Sequence, residues 1–280
     1  SIDRVDLLTA LEQRHQVELD ESRFAEARTV GDIERILRET TAVPRSHQYH
    51  YPRWAQSWPI HWIRMVVYYM LAWPATLILG KPVVIGREHL RNARGPLLFI
   101  SNHVTYIDPG LLMFAMPPRY RHRLAIAMQG ELLVQMRKPP AEMNFFQRAV
   151  EIASYWLVTA LFNVFPLPQR SGFRESFAFA GESVDCGYSV LVFPEGRRTG
   201  DGAMSSFRTG IGILAQQLKI PIVPMRIDGL FALKLQRRHF ARHGEVKVIV
   251  GEPVQFPDEM DEEAIAEELE GRVKRLSSSG

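Results

Sequence analysis

The apolar positions of this chain follow two rhythms. From Pro82 onward, short runs of Val, Ile, Leu and Phe alternate with stretches in which apolar residues recur every three or four positions. The runs predict strands over Val83–Gly86, Leu97–Ser101, Leu124–Met128, Val164–Leu167, Ser189–Phe193, Ile222–Ile227 and Val246–Val250. The stretches between them predict helices over Asp108–Ala115, Ala149–Phe162, Arg174–Asp185, Arg208–Leu218 and Glu262–Leu276. In the last of these, Ile265, Leu269, Val273 and Leu276 form the buried stripe, and the acidic run from Asp258 to Glu270 is its solvated face. Such alternation predicts an α/β fold, a layered mixed sheet flanked by helices.

The first eighty residues are of another kind. Val5, Leu8 and Leu11, then Val30, Ile33 and Leu37, lie at helical spacing and predict two short amphipathic helices, with Thr29 and Asp32 as an N-cap signature for the second. Residues 40–56, rich in Pro, His, Tyr and Ser without a period, predict a linker. Trp58 to Leu79 is the most apolar stretch. Its uncharged part, Met65 to Leu79, would extend about 22 Å as a helix, short of the ~30 Å hydrocarbon core, and Pro74 interrupts it. Trp58, Trp62, Tyr68, Tyr69 and Trp73 suit the headgroup zone. An interfacial or re-entrant pair of helices that docks on a membrane is therefore expected over 57–80, the other reading being a helix buried against the sheet.

Composition sets the outer bounds. The chain has 280 residues, 46% of them apolar, enough to bury a full core in one large domain. Its single cysteine, Cys186, excludes an internal disulfide and is expected to be structural. A net charge of +3 conceals a segregation: residues 41–251 hold 25 basic and 12 acidic side chains, whereas both ends are acidic. A basic middle favours an anionic membrane surface, a phosphate-bearing substrate or an acidic protein partner. A nucleic-acid partner is not expected, because that reading would need exposed stacking aromatics within the basic region.

Two motifs carry candidate chemistry. The first, Asn102-His103-Val104-Thr105-Tyr106-Ile107-Asp108, puts a histidine just past a strand end and a carboxylate at the start of the next helix. A carboxylate bonded to one ring nitrogen fixes the tautomer and stabilises the imidazolium formed when the other takes a proton. The second, Phe193-Pro194-Glu195-Gly196-Arg197-Arg198-Thr199, follows another strand end. There Gly permits close backbone approach and a guanidinium can grip a phosphate. Open α/β sheets place their sites at such ends, so both motifs are expected to line one crevice.

Together these motifs resemble the glycerolipid acyltransferases, the family that includes the 1-acylglycerol-3-phosphate acyltransferases, over roughly Pro82 to Pro253. His103 and Asp108 match the family's first motif. Arg170, in Phe165-Pro166-Leu167-Pro168-Gln169-Arg170, falls where the second places an acceptor-binding arginine. Phe193, Pro194, Glu195, Gly196 and Arg198 match the third, and Ile220-Pro221-Ile222-Val223-Pro224 the fourth. Thr105 stands where Ser is usual, Arg197 replaces a common Thr, and the second motif lacks its leading Gly. The resemblance implies an O-acyltransferase that moves a fatty acyl group from an acyl thioester, on acyl carrier protein or coenzyme A, to a hydroxyl of a glycerol phosphate or lysophospholipid. His103 would be the general base, oriented by Asp108. Arg170 and Arg198 would hold the acceptor's phosphate, with Glu195 ordering the loop or bonding a glycerol hydroxyl and Gly196 giving room. Neither metal nor cofactor is implied for the transfer.

The segment 1–39 resembles the C-terminal half of an acyl carrier protein, with Ser1-Ile2-Asp3 as the end of its Asp-Ser-Leu signature. This implies a small all-α carrier fragment cut from a longer polypeptide, with phosphopantetheine carried on Ser1 in the intact parent. The implied organisation is carrier (1–39), linker (40–56), docking helices (57–80) and acyltransferase domain (81–280), on the cytoplasmic side of a membrane. A membrane-docking or carrier-binding module without catalysis is the alternative. Two further features are expected to be bland: His122 between Arg121 and Arg123 reads as a solvated basic edge, and Phe145, Phe146, Tyr155, Trp156, Phe162 and Phe165 read as core or membrane packing before an acyl tunnel. Cys186 touches no motif.

Overall fold

The computed structural model of the chain describes Ala27 and residues 29–39, 49–79, 82–168, 173–236 and 240–276. Seven strands lie among them: β1 (Val83–Ile85), β2 (Leu98–Ser101), β3 (Leu124–Gln129), β4 (Val164–Leu167), β5 (Ser189–Val192), β6 (Ile222–Asp228) and β7 (Lys247–Val250). They form one sheet in the order β1-β7-β6-β2-β5-β3-β4. Every pairing is parallel except that of β6 with β7. The fold is thus the mixed α/β sheet that the alternation predicts. The helices are α1 (Val30–Glu39), α2 (Trp58–Val67), α3 (Trp73–Leu79), α4 (Asp108–Ala115), α5 (Pro118–Arg121), α6 (Gly130–Arg137), α7 (Phe145–Phe162), α8 (Phe173–Asp185), α9 (Gly210–Leu218), α10 (Leu230–Leu235) and α11 (Glu262–Arg275).

β2 is central, and all four of its residues are fully buried. Leu98 and Ile100 pack with α8, α9 and α11 on one face of the sheet. Leu97 and Phe99 pack with α4, α6, α7 and α10 on the other. A strand covered on both faces needs apolar residues at consecutive positions, which is why this segment reads as a run and not as an alternation. Pro224 sits in β6 where the regular pairing with β7 ends, at Met225↔Val250; its carbonyl still accepts from the Gly251 N–H at 2.8 Å, and an isolated bridge follows at Ile222↔Val254.

Some local features escaped the periodicity. α5, α6 and α10 are short, and α6 opens on Gly130, packed under the Tyr49 ring. α7 starts at Phe145, before its apolar rhythm begins, because Asn144 and Gln147 form a reciprocal capping box: the Gln147 N–H donates to Asn144 Oδ1 at 2.9 Å and the Asn144 N–H to Gln147 Oε1 at 3.2 Å. At α1, Thr29 and Asp32 exchange the same type of bond, at 3.2 and 3.1 Å. Ser1 and the first amphipathic helix lie outside the described residues.

Residues 49–56, read from the sequence as the end of a linker, are docked. Tyr51 bonds Ser176 at 3.0 Å and packs on the Phe179 ring, and Arg53 makes a two-pronged ion pair with Glu182. Aromatic and charged side chains without a helical or strand period can still anchor an irregular segment through individual contacts.

The stretch from Trp58 to Leu79 is one continuous helical run and not a pair of helices. Between α2 and α3 lies a π-helical turn over Tyr68–Ala72, closed by the Trp73 N–H donating to the Tyr68 carbonyl. Pro74 has no N–H to continue the regular ladder, and the widened turn just before it absorbs the defect, so the run does not break. Arg64 and Tyr68 face the protein, while Trp58, Trp62, Ile63, Val66, Met70, Leu71 and Ile78 are exposed. No helix among the described residues is long and apolar enough to cross a membrane. In α7, Phe145, Phe146 and Trp156 are likewise exposed, whereas Tyr155 is buried, as is Phe165 in β4. Cys186, expected to be structural, is a free and exposed thiol at the turn after α8.

A tight helix–helix joint lies between α9 and α11. A Cβ on Gly212 would sit 2.0 Å from the Glu262 carbonyl oxygen. Gly212→Ala must push the helices apart and should cost about 1–3 kcal/mol, read as a thermal midpoint several degrees lower. An unchanged midpoint would mean that this contact does not set the helix spacing.

Candidate active site

The site begins where the β2 ladder ends. Ser101 is the last residue of β2 to pair with β6, and the next residue continues the pairing with its side chain. Asn102 Oδ1 accepts from the Ile227 N–H at 2.8 Å, and Asn102 Nδ2 donates to the Ile227 carbonyl at 3.0 Å. The amide thus stands in for a strand peptide, and the backbone is free to turn outward at His103. The sequence reading assigned Asn102 no role; its position directly after a strand end was the only signal.

The turn closes around Asp108, which is fully buried at the first residue of α4. Asp108 Oδ2 accepts from His103 Nδ1 at 2.7 Å and from the Val104 N–H at 2.6 Å. The Thr105 N–H lies 3.1 and 3.0 Å from the two carboxylate oxygens, and Thr105 Oγ1 donates to Oδ1 at 2.9 Å. Thr at this position serves the carboxylate with its hydroxyl. A carboxylate only accepts hydrogen bonds, so the His103 proton sits on Nδ1 and Nε2 is left with its lone pair. The imidazole stacks on Phe193, ring centroids 4.2 Å apart and 22° from parallel, and its side chain is 21% exposed. It is therefore held on two sides and open to a substrate.

The second motif is bolted to the first. Glu195 is buried, and its two oxygens accept from the His103 N–H at 2.8 Å and the Ser205 N–H at 2.7 Å. The sequence reading left open whether Glu195 orders the loop or contacts acceptor; here both oxygens are engaged by backbone. Burial pushes the Glu195 carboxyl above the ordinary range, and the two backbone N–H groups draw it part of the way back. The Thr199 N–H adds a bond to the His103 carbonyl at 2.9 Å. Gly196 has φ of +67°, and a Cβ there would lie 2.8 Å from Arg208 Nε, so both conformation and space call for glycine. The Arg198 guanidinium lies 3.4 Å from the centroid of the Tyr106 ring. Tyr106, which the sequence reading passed over, thereby links the cationic loop to the histidine turn.

Of the residues singled out from the sequence, His103, Asp108, Glu195, Gly196 and Arg198 fall in these two adjoining loops beyond the carboxyl ends of β2 and β5. Arg170 and Ser1 lie outside the described residues. Among the described residues, no group of three or more His, Cys, Asp or Glu side chains is arranged to hold a metal ion.

In overall architecture the chain is similar to the 1-acyl-sn-glycerophosphate acyltransferase PlsC from Thermotoga maritima, with a TM-score of 0.51 and 22% identity over 78% of this chain and 76% of that one. The acyltransferase family model matches residues 81–228, more than half of the chain, and the protein belongs to that family. Among curated proteins it is similar to a chloroplastic 1-acyl-sn-glycerol-3-phosphate acyltransferase of Brassica napus, 22% identical over 62% of this chain and 45% of the relative. It is also similar to a 1-acyl-sn-glycerol-3-phosphate acyltransferase of Cocos nucifera, 26% identical over 70% and 56%. The chain spans about half the length of these curated relatives.

Glu195→Gln keeps the shape but sets an NH₂ group against one of two backbone N–H donors. A buried donor left without an acceptor costs ~1–3 kcal/mol. The variant should melt several degrees lower, and a midpoint equal to wild type would show that the carboxylate does not clamp the two loops.

Proposed function

We propose that the protein transfers a fatty acyl group from an acyl thioester, carried by acyl carrier protein or coenzyme A, to a hydroxyl of a glycerol phosphate or lysophospholipid. The observation that carries this reading is the fixed tautomer of His103: an Nδ1–H held by a buried carboxylate, an Nε2 lone pair at an open crevice, and an arginine on the adjoining loop. His103 Nε2 takes the acceptor's hydroxyl proton as its oxygen attacks the thioester carbonyl. The C–S bond then breaks, and the departing thiolate receives the proton from the imidazolium. Asp108 holds the ring throughout, and no acyl-enzyme forms.

Arg198 grips the acceptor phosphate, its guanidinium plane set by Tyr106. Arg170 shares that task on the strength of the motif resemblance. Gly196 lets substrate approach the loop backbone, and Glu195 orders it. No metal or cofactor takes part in the transfer. In the intact parent, phosphopantetheine on Ser1 would deliver acyl groups from a tethered carrier at an effective concentration in the millimolar range. The exposed apolar side of α2 and α3 docks the domain on the cytoplasmic face of an anionic membrane, where its acceptor resides, and nucleic acid is not a partner.

His103→Ala should lower acyl transfer by ~10²–10⁴ in a protein that still folds, with a thermal midpoint lowered by the loss of one donor to Asp108. Near-normal turnover would refute the base assignment and favour a docking module without catalysis. Tyr106→Ala should raise KM for a phosphate-bearing acceptor about two- to fivefold while leaving kcat alone, and Tyr106→Phe should restore it. Equal effects of both substitutions would point to the hydroxyl and not the ring face.

A further inference from the structure

A second cationic cleft lies at the opposite end of the sheet from His103. Its walls come from the segments that precede β2, β3 and β5, around Arg94, Arg123 and Gly187, together with Arg119 of α5 and the His61 and Met65 side chains of α2. The cleft is open and measures about 600 Å³. No Asp or Glu lines it, and among the described residues no carboxylate pairs with Arg94, Arg119 or Arg123. Arg119 is fixed in place by donating to the Leu90 and Arg91 carbonyls and by stacking on Tyr120.

The side of the helix that borders this cleft is mixed, and the next side is apolar. His61, Met65 and Tyr69 recur every fourth residue, and Tyr69 Oη lies 3.0 Å from His122 Nε2 at the cleft wall. One position further round, Trp62, Val66 and Met70 are all exposed. A concave cationic site therefore sits directly beside an apolar ridge, and a phospholipid offers the matching pair, a phosphate next to hydrocarbon. An acidic helix of a carrier protein would match the arginines but leave the ridge uncovered.

We propose that this cleft, through Arg94, Arg119 and Arg123, binds the phosphate of an anionic phospholipid headgroup, a site separate from the acceptor site at His103. The assignment rests on the membrane-docking reading above. Burial and the neighbouring charges of Arg121 and His61 hold His122 down at about 4, and burial followed by Arg64 and Arg123 lowers His61. Both imidazoles are thus neutral at neutral pH, and the cleft's positive charge is that of its arginines.

The test is co-sedimentation of the whole chain with vesicles of phosphatidylcholine alone or mixed with phosphatidylglycerol, using Arg94→Ser/Arg123→Ser and Trp62→Ser variants whose thermal midpoints match wild type. The double variant should lose about tenfold or more of its affinity for the mixed vesicles and keep its weak binding to phosphatidylcholine. Trp62→Ser should weaken both. Wild type that binds neither vesicle would overturn the docking reading and this site with it. A double variant that retains the preference for phosphatidylglycerol would overturn the site alone. If inorganic phosphate shifts the His122 ring signals in wild type but not in the double variant, while vesicle binding is unaffected by the substitutions, the cleft is a soluble-anion site and the lipid assignment falls.

Discussion

The site depends on one buried carboxylate. Asp108 is fully removed from solvent at the start of α4, where an unpaired carboxylate would cost several kcal/mol. What makes it tolerable is the set of donors brought to it by a turn of only a few residues: two backbone N–H groups, a hydroxyl and an imidazole. The helix N-terminus adds a favourable field. The same bonds that lower the cost of burying the charge also determine which histidine nitrogen carries the proton. Folding of the turn and preparation of the base are therefore one event, and no separate conformational change is needed to create the tautomer.

A second buried carboxylate couples this turn to the rest of the crevice. Glu195 projects from the loop after β5, yet its acceptors are spent on the backbone of two other segments, at His103 and Ser205. β2 and β5 are adjacent and parallel, so their carboxyl ends are brought side by side by the sheet itself. The sheet supplies proximity at the scale of strand spacing, and Glu195, Thr199 and Phe193 refine it to bond length. A glycine at 196 is what lets the loop make that return, since a side chain there would meet Arg208 in a backbone conformation that already disfavours one.

The legible part of this molecule was the part set by periodicity. All seven strands follow from apolar runs because a sheet covered on both faces keeps polar residues such as Gln129, Arg226, Asp228 and Lys247 toward the strand ends, and the histidine and carboxylate were visible because their chemistry is distinctive. The sequence concealed interactions in which ordinary residues take structural roles. Asn102 acts as a piece of strand, Tyr106 as a platform for a guanidinium, and Tyr51 and Arg53 as anchors for a segment without a period. Each depends on a partner distant in sequence, Ile227, Arg198, Ser176 and Glu182 respectively, and no local pattern encodes that pairing. The break expected at Pro74 failed for a different reason: the chain can widen one turn and keep its helix.

The same limitation applies to charge, and Arg64 is the clearest case. In the sequence it interrupts an apolar stretch and looks like its water-facing boundary. In the fold it points inward, donating to the Ala160 carbonyl in the last turn of α7 at 2.8 Å and to the Ala55 carbonyl at 2.6 Å. Carbonyls at helix ends lack intrahelical donors, and a buried guanidinium can serve two of them from one position. Tyr68 likewise faces inward, where its hydroxyl accepts from Arg121 at 3.1 Å. The helical run therefore carries polar groups on its protein side and Trp, Ile, Val, Met and Leu on its outer side, the reverse of a helix covering a water-soluble core. An outer face of that composition is stable against a neighbour less polar than water, which fits the docking role proposed for it. Because Arg64 fixes the rotation of the helix about its own axis, it also fixes which flank borders the distal cationic cleft. A charge that in the sequence only bounds the uncharged stretch thus sets the orientation of its exposed apolar face.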